Sequence, residues 1–205
     1  MTGFFIAMEG GEGAGKSTHA KRLADWLETQ GYEVLLTREP GGTPTAEKIR
    51  AILLDPEIKD MPDQTEALLF AAARGDHAHN KIKPALDRGL VVICDRYIES
   101  SVAYQGVARG LGADQIRELS EWATEQLLPD FTIYMDVPAE DSAQRMDGTD
   151  RMEIQSREFH HRVHQAFRDM ASQSNRPNVL IDATKDKDEV ELAIRNAVMP
   201  VLSKQ

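Results

Sequence analysis

Short apolar runs recur along the chain, each followed by a polar stretch with helical spacing. Phe4 to Met8 is the first, long enough for a buried strand and too short for a helix. Val34 to Thr37, Leu90 to Cys94, Phe131 to Val137 and Val179 to Ile181 repeat the pattern, predicting five strands. After Gly15, Leu23, Trp26 and Leu27 fall at helical spacing until Gly31 stops them. A second helix is predicted from about Thr45 to Leu54. Asp63 to roughly Leu86 forms a third helical segment, carrying Leu68, Leu69, Phe70, Ala73 and Ile82; Pro84 is expected to kink or end it. A helix-rich stretch broken at Gly106, Gly110 and Gly112 runs to about Leu128. Glu140 to Gln155 is polar and interrupted by Gly148. Ser156 to Ser172 then places Phe159, Val163, Ala166, Phe167 and Met170 on one helical face, and Glu189 to Leu202 reads as a terminal helix. Strands alternating with helices predict an α/β fold, a parallel sheet covered on both faces. Ligands in such sheets bind beyond the C-terminal strand ends, where Gly10, Arg38, Asp95 and Asp182 fall.

Composition adds bounds. With 205 residues the chain is expected to form one domain, or one with a small mobile insert. Its formal charge of −10 argues against general affinity for nucleic-acid backbones or anionic membranes, though a few arginines could still make one positive pocket. Cys94 is the single cysteine, so no intrachain disulfide is possible, and it reads as a small buried hydrophobe. Neither a signal peptide nor a membrane-length apolar stretch is read. A soluble cytoplasmic protein is the expectation.

Chemistry enters at Gly10-Gly-Glu-Gly-Ala-Gly-Lys-Ser-Thr18. Gly10 and Gly15 followed by Lys16 and Ser17, between a strand and a helix, make a phosphate-binding loop in its proper context. Its glycines Gly10, Gly11, Gly13 and Gly15, with Ala14 among them, let backbone N–H groups approach a polyphosphate. The helix start at Lys16, Ser17 and Thr18 adds its partial positive charge. Lys16 can reach β- and γ-phosphates, and the Ser17 hydroxyl can ligate magnesium. A nucleoside triphosphate is the predicted ligand.

Asp95 can reach the same metal and Arg96 the phosphate oxygens; alone, the pair could equally be a surface ion pair. Arg38 and Glu39 lie in a loop open to close ligand approach, or are solvated turn residues. Glu12 puts a carboxylate beside the expected polyanion, which favours partnering a metal or positioning an acceptor over a bland surface role. His160 and His164 are one turn apart, with His161 between them. No carboxylate or cysteine set completes a metal site around them, so a solvated helix flank is expected.

With these blocks in hand, the chain resembles the bacterial thymidylate kinases, P-loop nucleoside monophosphate kinases, over essentially its whole length. The resemblance rests on Glu9-Gly10 to Thr18, Thr37-Arg-Glu-Pro-Gly-Gly-Thr43, Leu69-Phe-Ala-Ala-Ala-Arg74, Asp95-Arg-Tyr-Ile-Glu-Ser-Ser-Val-Ala-Tyr-Gln-Gly106, Ile133 to Val137 and Asp150-Arg-Met-Glu153. It implies a P-loop NTPase fold with a five-stranded parallel sheet and a short mobile lid near 144–155. It also implies a homodimer formed through helices, with ATP and dTMP as substrates, Mg²⁺ as cofactor, and no nucleic-acid or membrane partner.

By the same resemblance, Lys16, Arg96 and a lid arginine hold the transferring group, while Ser17 and Asp95 support magnesium. Glu12 lies between acceptor phosphate and metal, Arg38 and Arg50 grip the dTMP phosphate side, and Glu39 orders that pocket. Phe70 offers a face for the pyrimidine. Arg74, one turn on, donates to thymine O4, where cytosine presents a donor instead. Ser101 and Gln105 lie near the base, and Tyr104 where a ribose 2′-hydroxyl would collide. Taken alone, Phe70 and Tyr104 read more readily as core aromatics, the commoner fate of aromatics at helical spacing.

One departure from the pattern concerns the lid. Many bacterial relatives place several arginines there, compensating for a phosphate loop without a basic side chain; here Arg145 to Arg151 has only its flanking arginines. Arg151 is the expected phosphate contact, with Arg145 second, unless Arg151 pairs with Asp150 or Glu153. Other readings are a kinase for a different nucleoside monophosphate, or a nucleotide-binding regulator with impaired turnover. A GTPase switch lacks its guanine signature after the fourth strand.

Overall fold

The computed structural model describes residues 3–143 and 150–203. Five parallel strands form one sheet in the order β2-β3-β1-β4-β5: β1 Phe4–Gly10, β2 Val34–Arg38, β3 Val91–Asp95, β4 Phe131–Asp136 and β5 Asn178–Asp182. Alternation along β1 explains the layering. Phe4, Ile6 and Met8 enter one core with Ile93, Ile133, Leu23, Leu27, Val190 and Ile194. Phe5 and Ala7 enter the opposite core with Val92, Cys94, Ile98 and Ile116. Both faces of the central strands are therefore buried, and their sequences read as continuous apolar runs. The edge strands β2 and β5 are partly exposed.

One face is covered by α1 (Lys16–Thr29) and α9 (Lys187–Leu202). The other carries α3 (Asp63–His77), α4 (Lys83–Asp87), α5 (Ile98–Ser101), α6 (Ala113–Ala123) and α8 (Arg157–Gln173). Two further helices are α2 (Pro44–Leu54) and α7 (Ala139–Ala143). Side chains cap several starts: Thr43 accepts from the Ala46 N–H of α2, and Ser156 from the Phe159 N–H of α8.

Two punctuation signals act differently from expectation. Pro84 neither ends nor sharply breaks its segment. The helix widens into a π turn over Ala78–Ile82 and resumes as α4 with Pro84 in its first turn, where a missing N–H is harmless. Gly106 is likewise no break, because it lies inside a π-helical stretch, Val102–Ala108, that continues α5. A Cβ there would lie 3.0 Å from Ala113 Cα, so this glycine admits the start of α6 rather than stopping a helix. Among the described residues no helix is long and apolar enough to cross a membrane.

Candidate active site

The C-terminal ends of β1, β2 and β3 deliver three loops to one cleft of about 330 Å³. Lys16, Ser17, Arg38, Glu39, Arg50, Phe70, Arg74, Asp95, Arg96, Ser101, Tyr104 and Gln105 all line it, with Glu12, Gly13, Gly15 and Thr18 of the glycine-rich loop. Of the other expected loop residues, Gly10 closes β1 and Ala14 is buried beneath the wall. Gly11 offers its carbonyl to Lys16 Nζ at 2.6 Å. Gly15 caps α1 in a left-handed conformation, φ 82°. Burial, then the charge of Arg96, pull the Lys16 ammonium down to about 8. An arriving polyphosphate reverses that pull.

Asp95 closes β3 opposite the start of α1. Its Oδ2 accepts from the Ser17 hydroxyl, while its Oδ1 is buried without a hydrogen-bond partner among the described residues. A buried carboxylate oxygen beside a hydroxyl is a hard-oxygen donor set, and it fits Mg²⁺. Arg96 follows in the left-handed region, φ 70°, its N–H bonded to Met8 O at 2.9 Å. This non-glycine strain sits in the cleft wall, where a side chain must be aimed. The guanidinium donates to Gly10 O at 3.0 Å and Ser100 Oγ at 3.1 Å, and pairs with Glu12 Oε1 at 2.8 Å. Its Cζ stands 5.3 Å from the Tyr104 ring centre. Burial alone would raise the Glu12 carboxyl, but Arg96 and Lys16 outweigh it and hold Glu12 down at about 2. Tyr104 donates to that carboxylate at 3.2 Å.

On the other side of the cleft, Phe70 and Arg74 project from α3, one turn apart. Arg74 is buried, donating through Nε to Glu39 at 2.7 Å, through Nη1 to Ser120 Oγ at 3.1 Å and through Nη2 to Tyr97 O at 3.0 Å. Both Nη atoms keep a further N–H. Ser101 Oγ is buried without a hydrogen-bond partner among the described residues, and Gln105 donates to Glu66 Oε1 at 2.8 Å. Arg50 donates to Pro40 O at 2.8 Å, and Arg38 lies exposed against Glu47 at 3.2 Å. Burial, then Arg38, push the Arg50 pKa down.

Arg151 is not brought to the cleft with the others. It is buried, its Nε donating to Leu53 O at 3.0 Å and its Nη2 to Glu66 at 2.5 Å. Its neighbours Asp150, Met152 and Glu153 do line the cleft. Arg145 lies outside the described residues. The histidines of α8 have protein partners: His160 meets Glu153 O, His161 meets Glu140, and His164 meets Asp136.

Sequence reading missed the layer beneath the cleft. Glu66 is fully buried and gathers Gln105, Arg109 and Arg151. Its position one turn before Phe70 was the available signal, a lone acid on a ligand-lining face. Glu9 is also fully buried, accepting from Tyr97 N–H at 2.9 Å and Ser100 Oγ at 2.6 Å. Burial outweighs these donors and lifts its carboxyl from 4.5 to about 7. Between those values the folded protein binds a proton that the unfolded chain has released. Stability therefore falls by about 3 kcal/mol as pH rises through that window. Glu9→Gln is expected to remove this slope, checked by the difference in urea midpoints between pH 5 and pH 8. An unchanged difference would show that Glu9 ionises normally.

A thymidylate kinase family profile matches residues 8–194, nearly the whole chain. The chain belongs to the thymidylate kinase family. A protein named thymidylate kinase from Clavibacter michiganensis subsp. michiganensis (strain NCPPB 382) is 44% identical over 207 residues, covering 99% of this chain and 98% of its own length. A thymidylate kinase from Symbiobacterium thermophilum is 45% identical over 203 residues, covering 98% and 95%. One from Geobacillus sp. (strain WCH70) is 42% identical over 204 residues, covering 97% of each. The family's α/β P-loop architecture agrees with the all-parallel five-stranded sheet.

Proposed function

We propose that this cleft transfers the γ-phosphoryl group of ATP to dTMP, giving ADP and dTDP on the route to dTTP. The observation that carries the reading is that one cleft joins the Lys16–Ser17 loop to the Phe70–Arg74 face of α3. The bond from the γ-phosphorus to the β-bridging oxygen breaks, and a dTMP phosphate oxygen bonds to the same phosphorus. ADP leaves with the electron pair. The acceptor phosphate is already anionic near neutral pH, so alignment and charge neutralisation suffice without a strong base.

Lys16 and the loop's N–H groups hold the β- and γ-phosphates, and Arg96 bridges donor and acceptor. Glu12, kept ionised by Arg96, orients that guanidinium and faces the acceptor side. Arg38 and Arg50 take the dTMP phosphate, with Glu39 ordering the pocket. Phe70 stacks on the thymine, Arg74 donates to its O4, Ser101 and Gln105 flank it, and Tyr104 fills the space a 2′-hydroxyl requires. Ser17 and Asp95 hold magnesium, which when bound supplies positive charge to the phosphate oxygens. The chain works as one unit with a lid near 144–155, of which 144–149 lie outside the described residues. Arg151 serves the transferring group on leaving Glu66; the cleft-lining position of Asp150, Met152 and Glu153 supports a lid placed there.

A cytoplasmic location follows from the use of ATP and free nucleotides. A homodimer is supported by Ile52, Leu68 and Trp122, exposed on the contacting helices α2, α3 and α6. Sedimentation at monomer mass would contradict it. The activity is tested by magnesium-dependent ADP release with dTMP, dUMP, dCMP, dGMP or UMP as acceptor. Strong turnover with dTMP, less with dUMP and almost none with UMP is expected. Equal turnover with dCMP would overturn the base assignment, and no turnover with any acceptor would favour a nucleotide-binding regulator.

A further inference from the structure

Below the acceptor half of the cleft lies a buried polar chain that runs from Arg74 to β2. Arg74 Nε donates to Glu39 Oε2 at 2.7 Å, and the other oxygen of that carboxylate meets His77 Nδ1 at 3.0 Å. On the far side of the ring, His77 Nε2 stands 2.8 Å from Thr37 Oγ1. All four side chains are buried, His77 completely. Arg74 and Glu39 line the cleft, whereas His77 and Thr37 do not. The last turn of α3 creates this arrangement, since His77 follows Arg74 by three residues and shares its face.

The hydrogen-bond inventory sets the tautomer. A carboxylate only accepts, so Nδ1 must carry the proton that meets Glu39. In the neutral ring Nε2 is then the acceptor, and the Thr37 hydroxyl donates to it. Gly42 closes the chain from outside with φ 89°. A Cβ on it would lie 2.5 Å from His77 Nε2 and 2.9 Å from Thr37 Oγ1, so the second glycine of Pro40-Gly-Gly is the space the imidazole needs. Glu39 joins Arg74 to His77, and the chain ends on a cleft-lining guanidinium that Ser120 Oγ and Tyr97 O also hold.

We infer that His77, as its Nδ1–H tautomer, is a positioning residue for acceptor recognition: it fixes the Glu39 carboxylate, which in turn aims Arg74 at the base. This rests on the reading of Arg74 as the group that reads the acceptor base. Losing the His77 link leaves the phosphate-binding groups in place but frees one oxygen of Glu39, and so loosens the Nε contact of Arg74, leaving Ser120 Oγ and Tyr97 O to hold the guanidinium. The effect belongs to the acceptor and spares the donor.

Two amide variants in the full-length protein separate this from a general packing role. The Asn side-chain N–H sits where imidazole Nδ1–H does, and the Gln side-chain amide reaches the place of Nε2. His77→Asn therefore keeps the donor to Glu39, and His77→Gln keeps only the contact with Thr37. His77→Gln is expected to raise KM for dTMP about tenfold and lower the dTMP-over-dCMP ratio of kcat/KM about tenfold. KM for ATP stays unchanged, and His77→Asn stays within about twofold of the parent. Equal behaviour of the two amides, or a matching rise in KM for ATP, would overturn the inference. Arg74→Met serves as the control on the underlying reading. If it leaves the dTMP-over-dCMP ratio unchanged, the cleft assignment fails; if it shifts the ratio and His77→Gln does not, the positioning role fails. The ¹⁵N spectrum of the unmodified protein gives a readout independent of variant folding. A protonated Nδ1 with unprotonated Nε2 is expected for His77, and the reverse would contradict the chain.

Discussion

Arg96→Met is expected to lower kcat about a thousandfold while KM for either substrate changes far less. The size follows from the placement of the guanidinium. It stands among Gly10 O, Ser100 Oγ and Glu12, held by the end of β3 in a left-handed turn that no ordinary packing demand calls for. Ser100 in turn donates to the buried Glu9, so the fork is aimed from below as well as from the side. Charge placed in advance acts on the transition state, where negative charge is spread over the migrating group, more than on either bound reactant. Burial opposes the charge, but Glu12, Tyr104, Asp95 and Glu9 together outweigh it and push the Arg96 pKa upward, so its charge persists across the working pH range. Arg96→Lys keeps the charge and loses the planar fork, and is expected to recover only part of the loss. Pre-steady-state measurement of phosphoryl transfer checks both. A kcat within a few-fold of the parent for Arg96→Met would remove Arg96 from the reaction.

The second large effect is on selectivity. Arg74→Met is expected to lower kcat/KM for dTMP about a hundredfold or more and bring the dTMP-over-dCMP ratio close to one. A buried donor facing thymine O4 finds an acceptor, whereas the amino group of cytosine would leave both donors unpaired. Methionine fills the volume of the side chain without the charge, so the change reads the hydrogen bonds rather than a cavity. It also strips Glu39 of its cationic partner in a buried site. That costs stability, on the order of 3 kcal/mol. Thermal melts with and without dTMP separate the two consequences. A selective Arg74→Met protein would place the base reader elsewhere in the cleft.

What the sequence disclosed follows from how local each feature is. The phosphate loop, the five strands and the terminal positions of Arg38, Asp95 and Asp182 depend on short stretches and on which side of a strand a loop emerges. They are legible from spacing alone. Phe70 and Arg74 are legible as a pair because one helical turn separates them. Glu66, Glu9 and His77 escape that kind of reading because their partners lie 38 to 91 residues away: Glu66 meets Arg151 across the chain, Glu9 meets Ser100 across two strands, and His77 meets Thr37 through the sheet edge. An isolated acid or histidine on an apolar face carries no sign of what it will meet. Pro84 and Gly106 mislead for a related reason, since a π turn accommodates the first and the approach of α6 requires the second.

The most direct test follows the phosphorus atom itself. The protein is incubated with γ-labelled ATP, dTMP and magnesium, and the products are separated. Label in the β-phosphate of dTDP, matched one-for-one by ADP, is the result predicted for a cleft that aligns donor and acceptor. Label released as inorganic phosphate, or ATP left intact with dTMP bound, would contradict phosphoryl transfer at this site.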